Sequence, residues 1–112
     1  MTSPNINSWK VPEWHTDFGD PYLEFSLLKE IAVFIKKNFK RLDVYLECIE
    51  EDGYLNLEVY KDANKKGEIY ANQDGSRFKI SAFIFTENDE IECHTFDVEE
   101  LFVFMKFHFT KL

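Results

Sequence analysis

Residues 42–60 read LDVYLECIEEDGYLNLEVY, and this stretch decides the fold. Leu42, Val44, Leu46 and Cys48 alternate with Asp43, Tyr45, Glu47 and Ile49, the period of two that turns successive side chains to opposite faces of a strand. Glu50-Glu51-Asp52-Gly53 interrupts the run with turn chemistry, after which Leu55, Leu57 and Val59 alternate with Tyr54, Asn56, Glu58 and Tyr60. Two alternating runs joined by a glycine-containing turn make an antiparallel hairpin. One of its faces is apolar and the other mixes tyrosine with carboxylate, so the hairpin belongs to a sheet that is covered on one side.

The pattern continues downstream. Lys61 to Gly67 reads as a polar connection, Glu68 to Asn72 as a short strand, and Gln73-Asp74-Gly75-Ser76 carries the Asp-Gly hairpin signal. Arg77 to Thr86 is a longer strand with apolar residues on both faces, which suits a central position. Glu87-Asn88-Asp89 turns the chain into a last strand, Glu90 to Phe96, where Ile91 and Cys93 oppose Glu92 and His94. Five strands taken in chain order form a meander.

Helices flank these strands. Asp20-Pro21 is a helix start, an aspartate able to accept from first-turn amides followed by a proline that gives up no needed donor. The helix runs to about Lys40, because Leu27, Leu28, Ile31, Phe34, Ile35 and Phe39 recur at three- and four-residue steps while Lys29, Glu30, Lys36 and Lys37 take the other side. Lys36, Lys37, Lys40 and Arg41 gather at its end, where the helix dipole favours cations without any ligand. A second helix spans Val98 to about Lys111. Asp97 and Glu100 form its capping box, and Phe96 and Leu101 its hydrophobic staple. Leu101, Phe104, Met105 and His108 share one side of it, with Phe102 and Phe109 nearby. The fold class is therefore α+β: an antiparallel five-stranded β-meander flanked by an N-terminal and a C-terminal helix, both packed on the sheet face that carries Leu46, Leu57 and Ile80.

The chain reads as a single domain over residues 1–112, with an irregular arm at 1–19 that contains Trp9 and Trp14 and an α+β body at 20–112. Apolar residues at 45% and twelve phenylalanines supply a core without disulfides. Cys48 and Cys93 lie in strand-like runs and are expected as reduced, buried thiols. Residues 1–9 lack a basic start followed by an apolar segment, and no run approaches a membrane span, so the expected compartment is the cytoplasm. Eleven lysines against two arginines, with frequent Asn, Ile and Phe, suit an AT-rich bacterial or phage genome.

Catalytic and metal motifs are absent from the sequence. Adjacent strand residues point to opposite faces, so Cys93 and His94 cannot share an ion; no metal site, catalytic set or cofactor is assigned. Glu92 with His94, and His15 with Asp17, are the pairs able to move protons, each more simply a surface pair. Charge is the more informative signal. The net charge of −8 opposes binding to nucleic acid or anionic membrane, both of which reward lysine and arginine. Asp43, Glu47, Glu50, Glu51, Asp52 and Glu58 occur in the first hairpin with no intervening cation, and Glu87, Asp89, Glu90, Glu92, Asp97, Glu99 and Glu100 form a second such stretch.

Carboxylates interleaved with tyrosines suit the docking of a basic protein, because rings supply contact area and charges steer encounter. The expected function is a small acidic protein-binding domain of the kind represented by bacterial immunity proteins, which cover the active site of a basic nuclease toxin. Its partner-binding residues are Glu47, Glu50, Glu51, Asp52, Glu58, Glu87, Asp89, Glu90 and Glu92, with Tyr45, Tyr54 and Tyr60 as anchors. Two alternatives are a DNA mimic that occupies a DNA-binding protein and a small enzyme without a local motif. The phenylalanine-rich second helix also admits a homodimer through Phe102, Phe107 and Phe109.

Overall fold

The computed structural model describes residues 6–10, 21–49 and 54–110. Asp20, Trp14, His15, Asp17, Lys111 and the turn containing Glu50, Glu51 and Asp52 lie outside that set. A short 3-10 turn at Ile6–Ser8 precedes helix α1 (Pro21–Asn38), strands β1 (Asp43–Ile49), β2 (Tyr54–Lys61), β3 (Asn64–Asp74), β4 (Arg77–Phe85) and β5 (Glu90–Thr95), and helix α2 (Val98–Phe109). The five strands form one antiparallel sheet in the order β1-β2-β3-β4-β5, the meander that the alternation implies.

Both helices lie on one sheet face. Val44, Leu46, Leu55, Leu57, Val59, Ile69, Ala71, Ile80, Ala82 and Ile84 meet Leu28, Ile31 and Ile35 of α1 and Leu101, Met105 and Phe109 of α2 in a single buried cluster. The Phe34 and Phe102 rings stack with centroids 3.9 Å apart and join the two helices outside that cluster. In the N-terminal arm Trp9 is buried in the core and the 3-10 turn packs against α1, so this described part lies on the helix layer and leaves the open sheet face alone.

Several local expectations are corrected. Lys61 to Gly67 is not a loop: β2 passes into β3 through Asp62 and Ala63 alone, both at positive φ (52° and 67°), the geometry of a two-residue hairpin turn. A register shift between Val59 and Tyr60 accommodates the tight turn and lengthens β3 to eleven residues. Gly67 consequently sits inside a strand. A Cβ there would stand 2.9 Å from the Phe83 carbonyl oxygen of β4, so glycine permits this close approach of the two strands, while the Phe109 ring would lie at an ordinary contact distance of 3.7 Å.

At the start of α2 the Asp97 carboxylate accepts from the Glu99 amide, but Glu100 does not complete the box. It accepts from the Thr95 hydroxyl instead, and that hydroxyl accepts from the Asp97 amide. Phe96 is 40% exposed under the Arg77 guanidinium, 4.3 Å from the ring centroid, in place of a buried staple. On α2 the buried stripe is Leu101, Met105 and Phe109; Phe104 and His108 only flank it. Phe107 and Val103 are left 61% and 69% exposed. Phe109 is thus core and Phe102 is stacked on Phe34, so of the three residues named for a dimer contact only Phe107 is largely exposed. The thiols are less buried than their strand positions imply: Cys48 is exposed near the end of edge strand β1 and Cys93 is half-buried on β5, and burial raises both thiol pKa values.

Candidate functional site

Strand alternation that buries one face necessarily delivers the opposite set to the other. Tyr45 and Glu47 of β1 lie beside Glu58 and Asn56 of β2, and these continue through Glu68 and Tyr70 of β3 to Phe83 and Ser81 of β4 and to Glu92 and His94 of β5. The rings form two groups on this face. Tyr45 and Tyr60 meet edge to face at 5.6 Å, and Tyr70, Phe83 and His94 follow one another at 5.9 and 6.0 Å.

At its centre is a charged network that sequence spacing does not reveal. Glu58 and Glu68 stand directly opposite each other on β2 and β3, a repulsive arrangement for two carboxylates. Lys65 bridges them, bonded to Glu68 and 3.6 Å from Glu58. The Tyr60 hydroxyl donates to Glu58 and the Tyr70 hydroxyl to Glu68. Burial pushes the Glu68 carboxyl up, but the hydrogen bonds from Lys65 and Tyr70 and the lysine charge outweigh it and hold the group below its ordinary value. Burial likewise pulls Lys65 down, and its two carboxylates more than reverse this. The hydrogen bond to Glu58 leads the causes that raise Tyr60, because an ionised phenol could not donate it.

Next to this network Asn56 is only 1% exposed, and its side-chain carbonyl oxygen is buried without a hydrogen-bond donor. A buried unsatisfied acceptor costs about 1–3 kcal/mol.

A second chain of polar contacts crosses β4 and β5. The register pairs Ser81 with His94; Ser81 Oγ lies 3.0 Å from His94 Nδ1, and His94 Nε2 lies 3.3 Å from the Glu92 carboxylate. A carboxylate only accepts, so Nε2 carries the hydrogen, and in the neutral ring Nδ1 accepts from Ser81. The sequence pairs Glu92 with His94 correctly, whereas Ser81 enters only through the hairpin register. This line resembles the proton relay of a hydrolase, yet Ser81 is buried on an interior strand whose backbone amides serve the ladder. The arrangement fixes the His94 ring on the face.

Of the anticipated partner-binding residues, Tyr45, Glu47, Glu58, Tyr60, Glu90 and Glu92 share the open face. Glu87 and Asp89 lie in the β4–β5 turn, at the sheet end that also holds the β2–β3 turn. Glu50, Glu51 and Asp52 lie outside the described residues, as does the Tyr54 side chain. The set is not one compact patch: β1 and β5 are opposite edges, about 19 Å apart at usual strand spacing, and Glu58 is already engaged by Tyr60 and Lys65. Cys93 and His94 point to opposite sides of β5. No described helix is long and apolar enough to cross a membrane.

The class defined by these features is an α+β domain with a helix-covered sheet and an open acidic, aromatic face. Comparison with models of protein families, with curated proteins and with solved structures finds no match.

Proposed function

We propose that the protein is a binding domain whose open sheet face docks a basic protein, with a nuclease-type toxin neutralised by occlusion of its active site as the specific form of this reading. The observation that carries it is the combination, on one face, of aromatic rings with Glu47, Glu90 and Glu92 at the two edges. A lysine or arginine of the partner satisfies both requirements: it packs its stem on the rings and is steered by the edge carboxylates. The face spans about 19 Å across the strands and about 20 Å along them, about half of the ~800 Å² that one partner contributes to a typical stable interface. Turn residues such as Glu87 and Asp89 therefore belong to the footprint.

Carboxylates spaced between rings and partly neutralised by Lys65 fit protein docking better than imitation of a phosphate backbone, which needs a continuous array of free charge. The test is capture of partners from cells of the source organism at low and moderate salt, followed by association kinetics with a purified partner. Reversing Glu47 and Glu92 to lysine should slow association about tenfold without altering the fold. An association rate indifferent to both ionic strength and this reversal would refute the reading.

A further inference from the structure

On the helix side of the sheet, away from the docking face, α1, the link to β1, the end of β2 and the end of α2 border an open concavity of about 470 Å³, within the usual volume range for small-ligand sites. Lys37, Lys40, Arg41 and Lys61 line it, over a floor containing Phe39 and Phe109. Lys61 follows Leu57 and Val59 at a register position that faces the helices, which carries this cation inward.

Helix capping does not account for the cluster. Lys36 bonds the Leu42 carbonyl at 2.8 Å and lies 3.5 Å from Asp43, Asn38 bonds the Phe34 carbonyl, and the Phe39 amide bonds the Ile35 carbonyl. Among the described residues none of the four lining cations forms an ion pair, and none of the lining residues is a carboxylate. The two helices ending here supply about half a negative charge each. Four cations therefore leave a surplus of about three positive charges around one concavity, in a chain whose net charge is −8.

We propose that this cavity binds a small phosphorylated anion carrying a diphosphate group. The surplus matches the charge of a diphosphate, lysines and a forked guanidinium are suited to phosphate oxygens, and the aromatic floor accommodates an attached ring. The test is amide-resolved NMR titration of the whole chain with inorganic pyrophosphate and, separately, with ADP. Saturable shifts confined to residues 37–42, 61 and 109–110 are expected, and the double variant Lys40→Glu, Arg41→Glu should weaken binding at least about tenfold. Tighter binding of ADP, with shifts at Phe39, identifies a nucleoside diphosphate as the ligand; equal affinity identifies the diphosphate alone. Absence of saturation by about 10 mM, or shifts that survive the charge reversal or fall equally on Lys29, Lys79 and Lys106, would overturn the proposal. Neither result bears on the docking face, which lies across the sheet.

Discussion

Replacing Lys65 by methionine keeps most of the side-chain stem and removes the charge that holds Glu58 and Glu68 together. At 3.6 Å and an effective dielectric near 20, attraction to Glu58 alone is about 4–5 kcal/mol. Lys65 is one third exposed and all three charged groups are partly desolvated, so screening and desolvation reduce the net loss to about 2 kcal/mol at neutral pH. The pH dependence is the sharper signature. In the native chain the folded-state pKa of Glu68 is depressed, so its contribution is present above the ordinary carboxylate pKa and is lost as pH falls through the folded value. Without Lys65 the opposed carboxylates raise each other, and their destabilisation is relieved as pH falls and a proton is taken up. Urea unfolding at pH 7 and at about pH 4.5 should give a difference between the two proteins of about 2 kcal/mol that shrinks to below about 1 kcal/mol in acid. An equal difference at both pH values would show that the network is not what Lys65 stabilises.

Three further substitutions test other parts of the account. Gly67→Ala should destabilise the fold by about 2 kcal/mol in urea unfolding, because the new methyl meets the Phe83 backbone oxygen at 2.9 Å; an unchanged midpoint would contradict this close approach of β3 and β4. Ala63→Gly should raise stability by about 0.5–1 kcal/mol, since φ of 67° strains a residue with a Cβ; a loss measured by the same assay would mean that the turn is not left-handed. Asn56→Leu should raise the melting temperature by removing a buried unsatisfied acceptor, and a drop in thermal stability by calorimetry would show that the carbonyl is satisfied in solution.

The meander was legible because alternation in Leu42–Tyr60 and Arg77–Phe96 is a one-dimensional property, readable without knowing what lies alongside. Lys61–Gly67 was misread because Asp62-Ala63 lacks the glycine or asparagine that marks a left-handed turn, and Asn64, Lys65 and Lys66 are polar without being loop. The same distinction governs the sites. Tyr45, Glu47, Glu58 and Tyr60 share a face by parity and could be grouped from sequence, whereas the Lys65 bridge depends on the register shift at Val59/Tyr60. The Ser81–His94 contact depends on where the β4–β5 hairpin turns. Likewise Lys37, Lys40 and Arg41 are neighbours in sequence, but Lys61 joins them only because the end of α1 feeds the start of β1, which pairs with the end of β2.

The strand order also shapes the route to the native state. Every strand hydrogen-bonds to its sequence neighbour, so most pairings have short sequence separation and the sheet can assemble hairpin by hairpin, a topology associated with fast folding. The exception is the cover. Helix α2 is the last element in chain order, and until its twelve residues form, Gly67, Ala82 and Ile84 lack the cover that Phe109 and Met105 supply. A state with its five strands paired and α2 undocked therefore leaves part of the apolar sheet face bare, the kind of surface that makes partly folded chains prone to aggregate.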